Sequence, residues 1–237
     1  MSATRYFITG TDTEVGKTVA TCQLLRALAA QGLRVAAMKP VASGCEWRDG
    51  ALWNSDVAAH AAAVNVSVPA GCASPYRFEP AISPHLAARE AGVVVDMPHL
   101  LACADQLAGR CDVLLIEGAG GWFAPLSDEA SMADLARQLA APVILVVGLR
   151  LGCINHALLS AAAIRASGLP LAGWIANHID PAMARVDENL NYLALHLNAP
   201  LLAEIPYAAD AAAGRLHGHL VSLVGQGACA MPDGAPN

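Results

Sequence analysis

The sequence is poor in basic residues: 14 Lys and Arg against 20 Asp and Glu leave a formal net charge of −6, and the few cations are scattered. With no clustered positive charge, nucleic acid and anionic membranes are not expected partners, and small-molecule chemistry becomes the default. No uninterrupted apolar run approaches the ~18 residues of a membrane span. The opening MSATRYFITG holds no apolar core of a signal peptide. No C-x-x-C pair occurs among the seven cysteines, Cys22, Cys45, Cys72, Cys103, Cys111, Cys153 and Cys229. That, with their odd number, argues against a disulfide framework and against a zinc site. The expectation is a soluble protein of a reducing cytoplasm.

What is present is a chain of 237 residues, a length that three-layer α/β folds use as one unit with a sizeable core. We expect a single domain over 1–225 and a disordered tail over 226–237. Tyr6–Gly10 reads as a strand, Gly16–Gln31 as a helix ending at Gly32, and LRVAAMKPV as a second strand that Pro40 stops. Further strands are CDVLLIEGAGG, PVILVVG, LPLAGWIANH and APLLAEIP. Their near-continuous apolar character marks strands buried on both faces, hence a mostly parallel sheet. Helices at about Met132–Leu139, Asn155–Ser167 and Ala182–Leu197 fill crossovers, giving a doubly wound α/β fold with helices on both faces. Cys45 to about Ala91, with its proline-rich SPYRFEPAISPH, reads as loops and short helices over the strand ends.

In an open parallel sheet, ligands collect at the carboxyl ends of strands. Gly10–Thr18, Lys39–Ser43, Glu117–Gly121, Gly148–Asn155, Asn177–Asp180 and Pro206–Ala208 all follow strand ends and are expected to line one crevice. The first of these resembles the phosphate loop G-x-x-x-x-G-K-[ST] of P-loop NTPases, except that Gly10 stands one residue early and Thr11 fills its place. The exception is tolerable if Gly10 takes the strained turn. Backbone N–H groups around Gly16–Val19, at a helix N-terminus, suit a phosphate. Lys17 would reach the terminal phosphates and Thr18 would ligate Mg²⁺.

Glu14 is either a solvated loop residue or one facing a cation that offsets its repulsion from a triphosphate. Glu117, ending a buried strand, resembles the metal-side acid of nucleotide hydrolases. Asp56 in NSDVAAH is either a second hard-oxygen ligand or a helix N-terminal acid. Lys39, before Pro40 at a strand end, points into the crevice toward an oxyanion. The small residues Gly118, Ala119 and Gly120 allow close approach of a ligand or simply form a turn.

Taken together, YFITGTDTEVGKT, KPVASG, NSD, SPH, EGAGGWFAPLSD, PVILVVGLRLGCINHALL, LAGWIAN and LLAEIP resemble the dethiobiotin synthetase family, ATP-dependent carboxylases that close the ureido ring in biotin synthesis. The match runs from about Arg5 to Tyr207, and the family's loop shares the displaced first glycine. The resemblance implies 7,8-diaminononanoate, CO₂ and ATP as substrates. A carbamate and a carbamic-phosphoric anhydride would be the intermediates, with ADP and phosphate released. It also implies that Thr13, Glu14, Lys17, Lys39 and Ser43 line the reacting centre, and that Thr18, Asp56 and Glu117 hold Mg²⁺. ATP would lie along Glu14, Val15, Gly16, Lys17, Thr18 and Val19 and against Gly118–Gly120. The turn Gly152, Cys153, Ile154 and Asn155 would bind the substrate carboxylate of the neighbouring subunit in a homodimer. Read from the residues alone, that turn is sooner an ordinary strand-to-helix loop with Asn155 as its cap than a binding site.

Asn177, His178, Pro206, Tyr207 and Ala208 would form the adenine side. His178 departs from the family, which has an aspartate there, and Asp210 is a loose ribose candidate. The rival class is a switch ATPase that dimerises on DNA or membrane. Its loop carries a lysine where this chain has Asp12. A related amidotransferase would need a glutamine-hydrolysing domain for which no chain remains.

Overall fold

The computed structural model describes residues 3–207 and the short strand Arg215–Leu216. Ala208, Asp210 and the expected tail 226–237 lie outside the described residues. The chain opens with β1 (Thr4–Gly10), α1 (Lys17–Ala30) and β2 (Val35–Met38). Small elements follow: β3 (Val41–Ala42), the hairpin β4 (Glu46–Arg48) and β5 (Ala51–Trp53), α2 (Ser55–Ala63), α3 (Ala70–Ala73), β6 (Tyr76–Arg77) and α4 (Pro84–Glu90). Then come α5 (Met97–Ala108), β7 (Val113–Gly121), α6 (Met132–Gln138), β8 (Val143–Leu149), α7 (Cys153–Ala166), β9 (Leu171–His178), α8 (Val186–His196), β10 (Leu201–Ile205) and β11 (Arg215–Leu216).

The main sheet runs β11-β10-β9-β8-β1-β7-β2. Its strands pair in parallel except β11, which is antiparallel to β10. Alternate residues of each central strand enter two separate cores. Phe7, Leu114, Ile116, Val143 and Leu145 face one, and Ile8, Val113, Leu115, Ile144 and Val146 face the other. The period-2 pleat therefore explains why these strands read as unbroken apolar runs: both faces are covered. Helix α1 packs Leu24, Leu25 and Leu28 on one side, while α5, α6, α7 and α8 close the other.

Helix α5 stands where the sequence reading names no element. Asp96 caps it, accepting from the backbone of His99 at 3.1 Å, and Leu100, Cys103, Ala104 and Leu107 form its buried stripe at helical spacing. The irregular segment contains, beside loops, the capped helix α2. The side chain of Asn54 accepts there from the backbone N–H groups of Asp56 and Val57. Among the described residues no helix is long and apolar enough to cross a membrane. All six described cysteines are buried and unpaired.

Register sets the site. Ile8 pairs with Glu117 and Met38 with Ile116, so Lys39, one residue on from Met38, emerges beside Glu117 at the carboxyl edge. Gly148 and Ile205 both pair with Asn177, which sets the second half of that edge.

Candidate active site

Residues 11–16 bridge β1 and α1 as a tight loop. The left-handed positions are Glu14 (φ 59°) and Gly16 (φ 84°). Gly10 is not among them, which corrects the expectation of a strained turn there. Gly10 is needed for space instead, because a Cβ would lie 2.6 Å from Val15 Cγ2 and 2.9 Å from the Asp12 carbonyl oxygen. At Gly16 a Cβ would meet Asn177 Nδ2 at 2.0 Å, in a backbone conformation that already favours glycine. Asn177 Nδ2 donates to the Val15 carbonyl at 2.9 Å and so braces the loop from behind. Lys17 Nζ donates to the Asp12 carbonyl at 3.0 Å, curling over the loop. The Asp12 carboxylate is held by Arg150 at 2.6 Å. No side chain caps α1 and no acid sits in its first turn, which leaves an N-terminus suited to an anion. Burial pushes the Lys17 ammonium down to about 8, with Lys39 adding to the shift.

Beside the loop lies a buried charge cluster. Glu117 is 0% exposed. Its Oε1 accepts from Lys39 Nζ at 2.6 Å and from Thr18 Oγ1 at 2.9 Å, and its Oε2 meets His60 Nε2 at 2.7 Å. Lys39 Nζ also donates to Asp56 Oδ2 at 2.9 Å. Burial alone would raise the Glu117 carboxyl, but Lys39 and His60 outweigh it and hold the group well below the usual carboxylate range. Burial likewise works against the Lys39 charge, and Glu117 followed by Asp56 overcomes it, leaving the ammonium above its ordinary value. Both groups are therefore charged, as a buried pair must be to repay its desolvation.

The oxygens here fit Mg²⁺ by chemistry. The Thr18 hydroxyl donates its hydrogen bond to Glu117 Oε1, which leaves its lone pairs for a cation, and the Asp56 side chain is 37% exposed on the cleft side. Hard oxygens with room for water are what that ion takes. The described residues hold no cluster of three or more His, Cys, Asp or Glu at metal-binding separation; the expected set is two carboxylates and one hydroxyl, with Lys39 bridging the carboxylates.

A cleft of ≈ 760 Å³ opens over these groups, within the size range of small-molecule sites. Of the expected residues it brings together Thr13, Glu14, Gly16, Lys17, Thr18, Val19, Lys39, Ser43, Asp56, Glu117, Ala119 and Gly120. The Ser43 hydroxyl oxygen is buried without a partner, and Ala81–Pro84 form a wall. Val15 and Gly118 sit behind the surface: Val15 is buried, and a Cβ on Gly118 would meet the Phe7 ring at 3.1 Å. Gly152, Cys153, Ile154, Asn155, Asn177, His178, Pro206 and Tyr207 do not line this cleft, which corrects the expectation of one continuous crevice.

Gly152, at φ 94°, rather than Asn155, stands at the N-cap of α7. Cys153 is buried, while the neighbouring Leu151 is 93% exposed. His178 Nε2 contacts Glu204 Oε1 at 2.9 Å. His60 was missed by sequence reasoning, although it stands four residues after Asp56, on the same face of a helix.

Residues 4–214 match a family model described as an AAA domain. The chain is 52% identical over 216 residues to the ATP-dependent dethiobiotin synthetase BioD of Pseudomonas paraeruginosa, covering 91% of this chain and 95% of that protein. It is 49% identical over 206 residues to the BioD protein of Aromatoleum aromaticum, covering 87% and 92%. Among solved structures, chloroplast FtsY from Physcomitrella patens aligns with a TM-score of 0.51 at 14% identity, covering 95% of this chain and 65% of that one. The signal recognition particle receptor FtsY from Elizabethkingia anophelis, in complex with GDP, aligns with a TM-score of 0.51 at 16% identity, covering 94% and 63%. The chain thus spans less than two thirds of either FtsY, and at such identities the likeness speaks for the α/β P-loop fold alone. With about half its residues identical across nearly the whole length of both chains, this protein belongs to the family of ATP-dependent dethiobiotin synthetases.

Proposed function

We propose that the cleft, carried by one domain over 1–225, uses ATP to carboxylate and cyclise 7,8-diaminononanoate to dethiobiotin. The observation that carries this reading is Lys39, held charged between Glu117 and Asp56 beside the Lys17 end of an open phosphate loop. One amine of the diamine adds to CO₂, forming an N–C bond and losing a proton to give a carbamate. A carbamate oxygen attacks the γ-phosphorus of ATP, ADP leaves, and a carbamic-phosphoric anhydride remains. The second amine attacks its carbonyl carbon, the bond to phosphate breaks, phosphate departs as the leaving group with the attacking nitrogen's proton passing to it or to water, and the five-membered urea closes.

No protein nucleophile takes part; the chain supplies position and fixed charge. Lys17 and Lys39 face the transferring phosphoryl group and the carbamate. Thr13 and Ser43 offer hydroxyls to the reacting atoms, and the carboxylate of Glu14 finds its cation in the diamine. Thr18, Asp56 and Glu117 would hold Mg²⁺, which when bound neutralises charge on the phosphates. Asn177, His178, Pro206 and Tyr207 form the base side of ATP. The substrate carboxylate is met by Gly152–Asn155 of a second copy in a homodimer, since that turn lies outside this chain's own cleft.

The test is to supply the purified protein with ATP, Mg²⁺, the diamine and carbon-13 bicarbonate. A product with the mass of dethiobiotin carrying one carbon-13 is expected, with one ADP per product. ATP turnover without a carboxylated product would overturn the assignment.

A further inference from the structure

We infer that His60 is a positioning residue which fixes the orientation of Glu117. The inference rests on the proposed function only for what Glu117 is positioned to do. Glu117 is fully buried and its Oε1 is engaged by the Lys39 ammonium at 2.6 Å and the Thr18 hydroxyl at 2.9 Å, and a carboxylate salt-bridged in this way only accepts hydrogen bonds. The 2.7 Å contact at Oε2 therefore requires His60 Nε2 to carry the hydrogen. That leaves Oε1 as the oxygen shared by Thr18 and Lys39.

Remove His60 and the carboxylate loses the donor at Oε2 in a place where an unpaired charged oxygen is costly. It would then turn to take Lys39 or Thr18 with both oxygens. Either rotation disturbs Asp56, because Lys39 spans the two carboxylates. Asp56 and His60 lie one turn apart on α2, so a single helix grips the cluster twice. Its start is fixed in turn by Asn54, which caps it and donates from Nδ2 to the Ser43 carbonyl at 3.3 Å. The segment Asn54–His60 thus joins the Ser43 strand end, the Lys39 charge and the Glu117 carboxylate in one rigid unit.

His60→Gln and His60→Asn separate this role from packing. Gln carries an N–H close to where Nε2 stands, whereas Asn stops short of Glu117. A void of ≈ 160 Å³ borders the ring, lined by small and branched apolar residues such as Ala61, Val64 and Ala73, and leaves room for either side chain to settle. Three quantities are measured: the Mg²⁺ dependence of binding of a non-hydrolysable ATP analogue by calorimetry, kcat with KM for the diamine, and Tm.

His60→Asn should lose ~10–100-fold in kcat and need correspondingly more Mg²⁺ for nucleotide binding, the usual cost of removing a partner that orients a ligand. KM for the diamine should stay within about two-fold, because no substrate group is touched. His60→Gln should recover most of the loss. The inference is overturned if His60→Asn overlays the parent in binding and kcat. It is equally overturned if a folded His60→Gln falls as far as His60→Asn, or if losses follow Tm while the Mg²⁺ curve stays put. Should His60→Asn fail to fold, the folded Gln variant decides by the same binding curve. The calorimetry is independent of ring closure, so a parent that makes no dethiobiotin would sink the proposed function and leave the His60 result readable.

Discussion

Beyond β2, β7 and β1 the carboxyl edge of the sheet carries a buried charge cluster closed in by side chains at the floor of the cleft, whereas beyond β8, β9 and β10 the edge is open and its ion pairs, Arg150–Asp12 and His178–Glu204, are partly exposed. On the first side Glu117 is enclosed by Lys39, Thr18 and His60, each placed by a different element. On the second, a Cβ on Gly152 would meet nothing within 4 Å, Leu151 is 93% exposed and Tyr207 62%. The contrast teaches that the charge cluster is preorganised within one chain, at the expense of buried charge, while the other side leaves its glycine turn and large apolar residues uncovered. Helix α7 brings its N-terminus to that open edge uncapped by any side chain, as the α1 N-terminus is on the closed side.

The harshest test of the closed side is Lys39→Gln. It takes a cation from developing charge, for which a loss of hundreds-fold in kcat is expected, about 3–4 kcal/mol of barrier. It also strands Glu117 beside Asp56, so stability should fall by ~3–5 kcal/mol, read as an earlier urea midpoint. Near-normal turnover would remove Lys39 from the mechanism. Next in size, Asp56→Asn should raise the Mg²⁺ concentration for half-maximal activity by roughly ten-fold, since a charged hard-oxygen ligand is lost. If its titration curve overlays the parent, Asp56 is only a helix acid and the closed side is smaller than drawn.

The open side is tested by mixing Gly152→Glu with Lys39→Gln. If the chain dimerises with the shared site proposed above, about half the dimers in a random mixture are heterodimers, each with one intact pair of phosphate side and carboxylate turn, so roughly a quarter of parental activity should return. Exchange confirmed by native mass spectrometry with no recovery would place the site within one chain. Least of all, Leu151→Ser should change the stability of the dilute chain by under ~0.5 kcal/mol, as surface changes do. A larger loss in a denaturant melt would mean that the exposed leucine is covered.

The strands were legible because each is buried on both faces and therefore spelled in apolar letters, as in Val113–Ile116 and Val143–Val147. The residues at their ends were legible for a related reason: polar side chains directly after such runs fall at the carboxyl edge, where Lys39 and Glu117 indeed sit. What the sequence does not carry is register and long-range contact. That Lys39 touches Glu117 depends on Met38 pairing with Ile116, and Asn177 braces Val15 across 162 positions. At Gly10 the sequence alone does not separate strain from crowding, since both select glycine. The helix Met97–Ala108 is legible in principle, since its stripe at Leu100, Cys103, Ala104 and Leu107 has the right period. His60 is not legible, because a histidine four residues after an acid gains meaning only with Glu117 opposite.

The buried, unpaired thiols have a practical consequence. Burial pushes those of Cys22, on α1, and Cys103, on α5, up to about 11. Alkylating reagents attack thiolates, so at neutral pH these two react only when their helices come away from the sheet. The labelling rate at each cysteine, read by mass spectrometry, then reports the free energy of local opening on opposite faces of the molecule. A nucleotide seated at the start of α1 should slow the clock at Cys22 more than that at Cys103, and the ratio of the two rates would then record ligand occupancy.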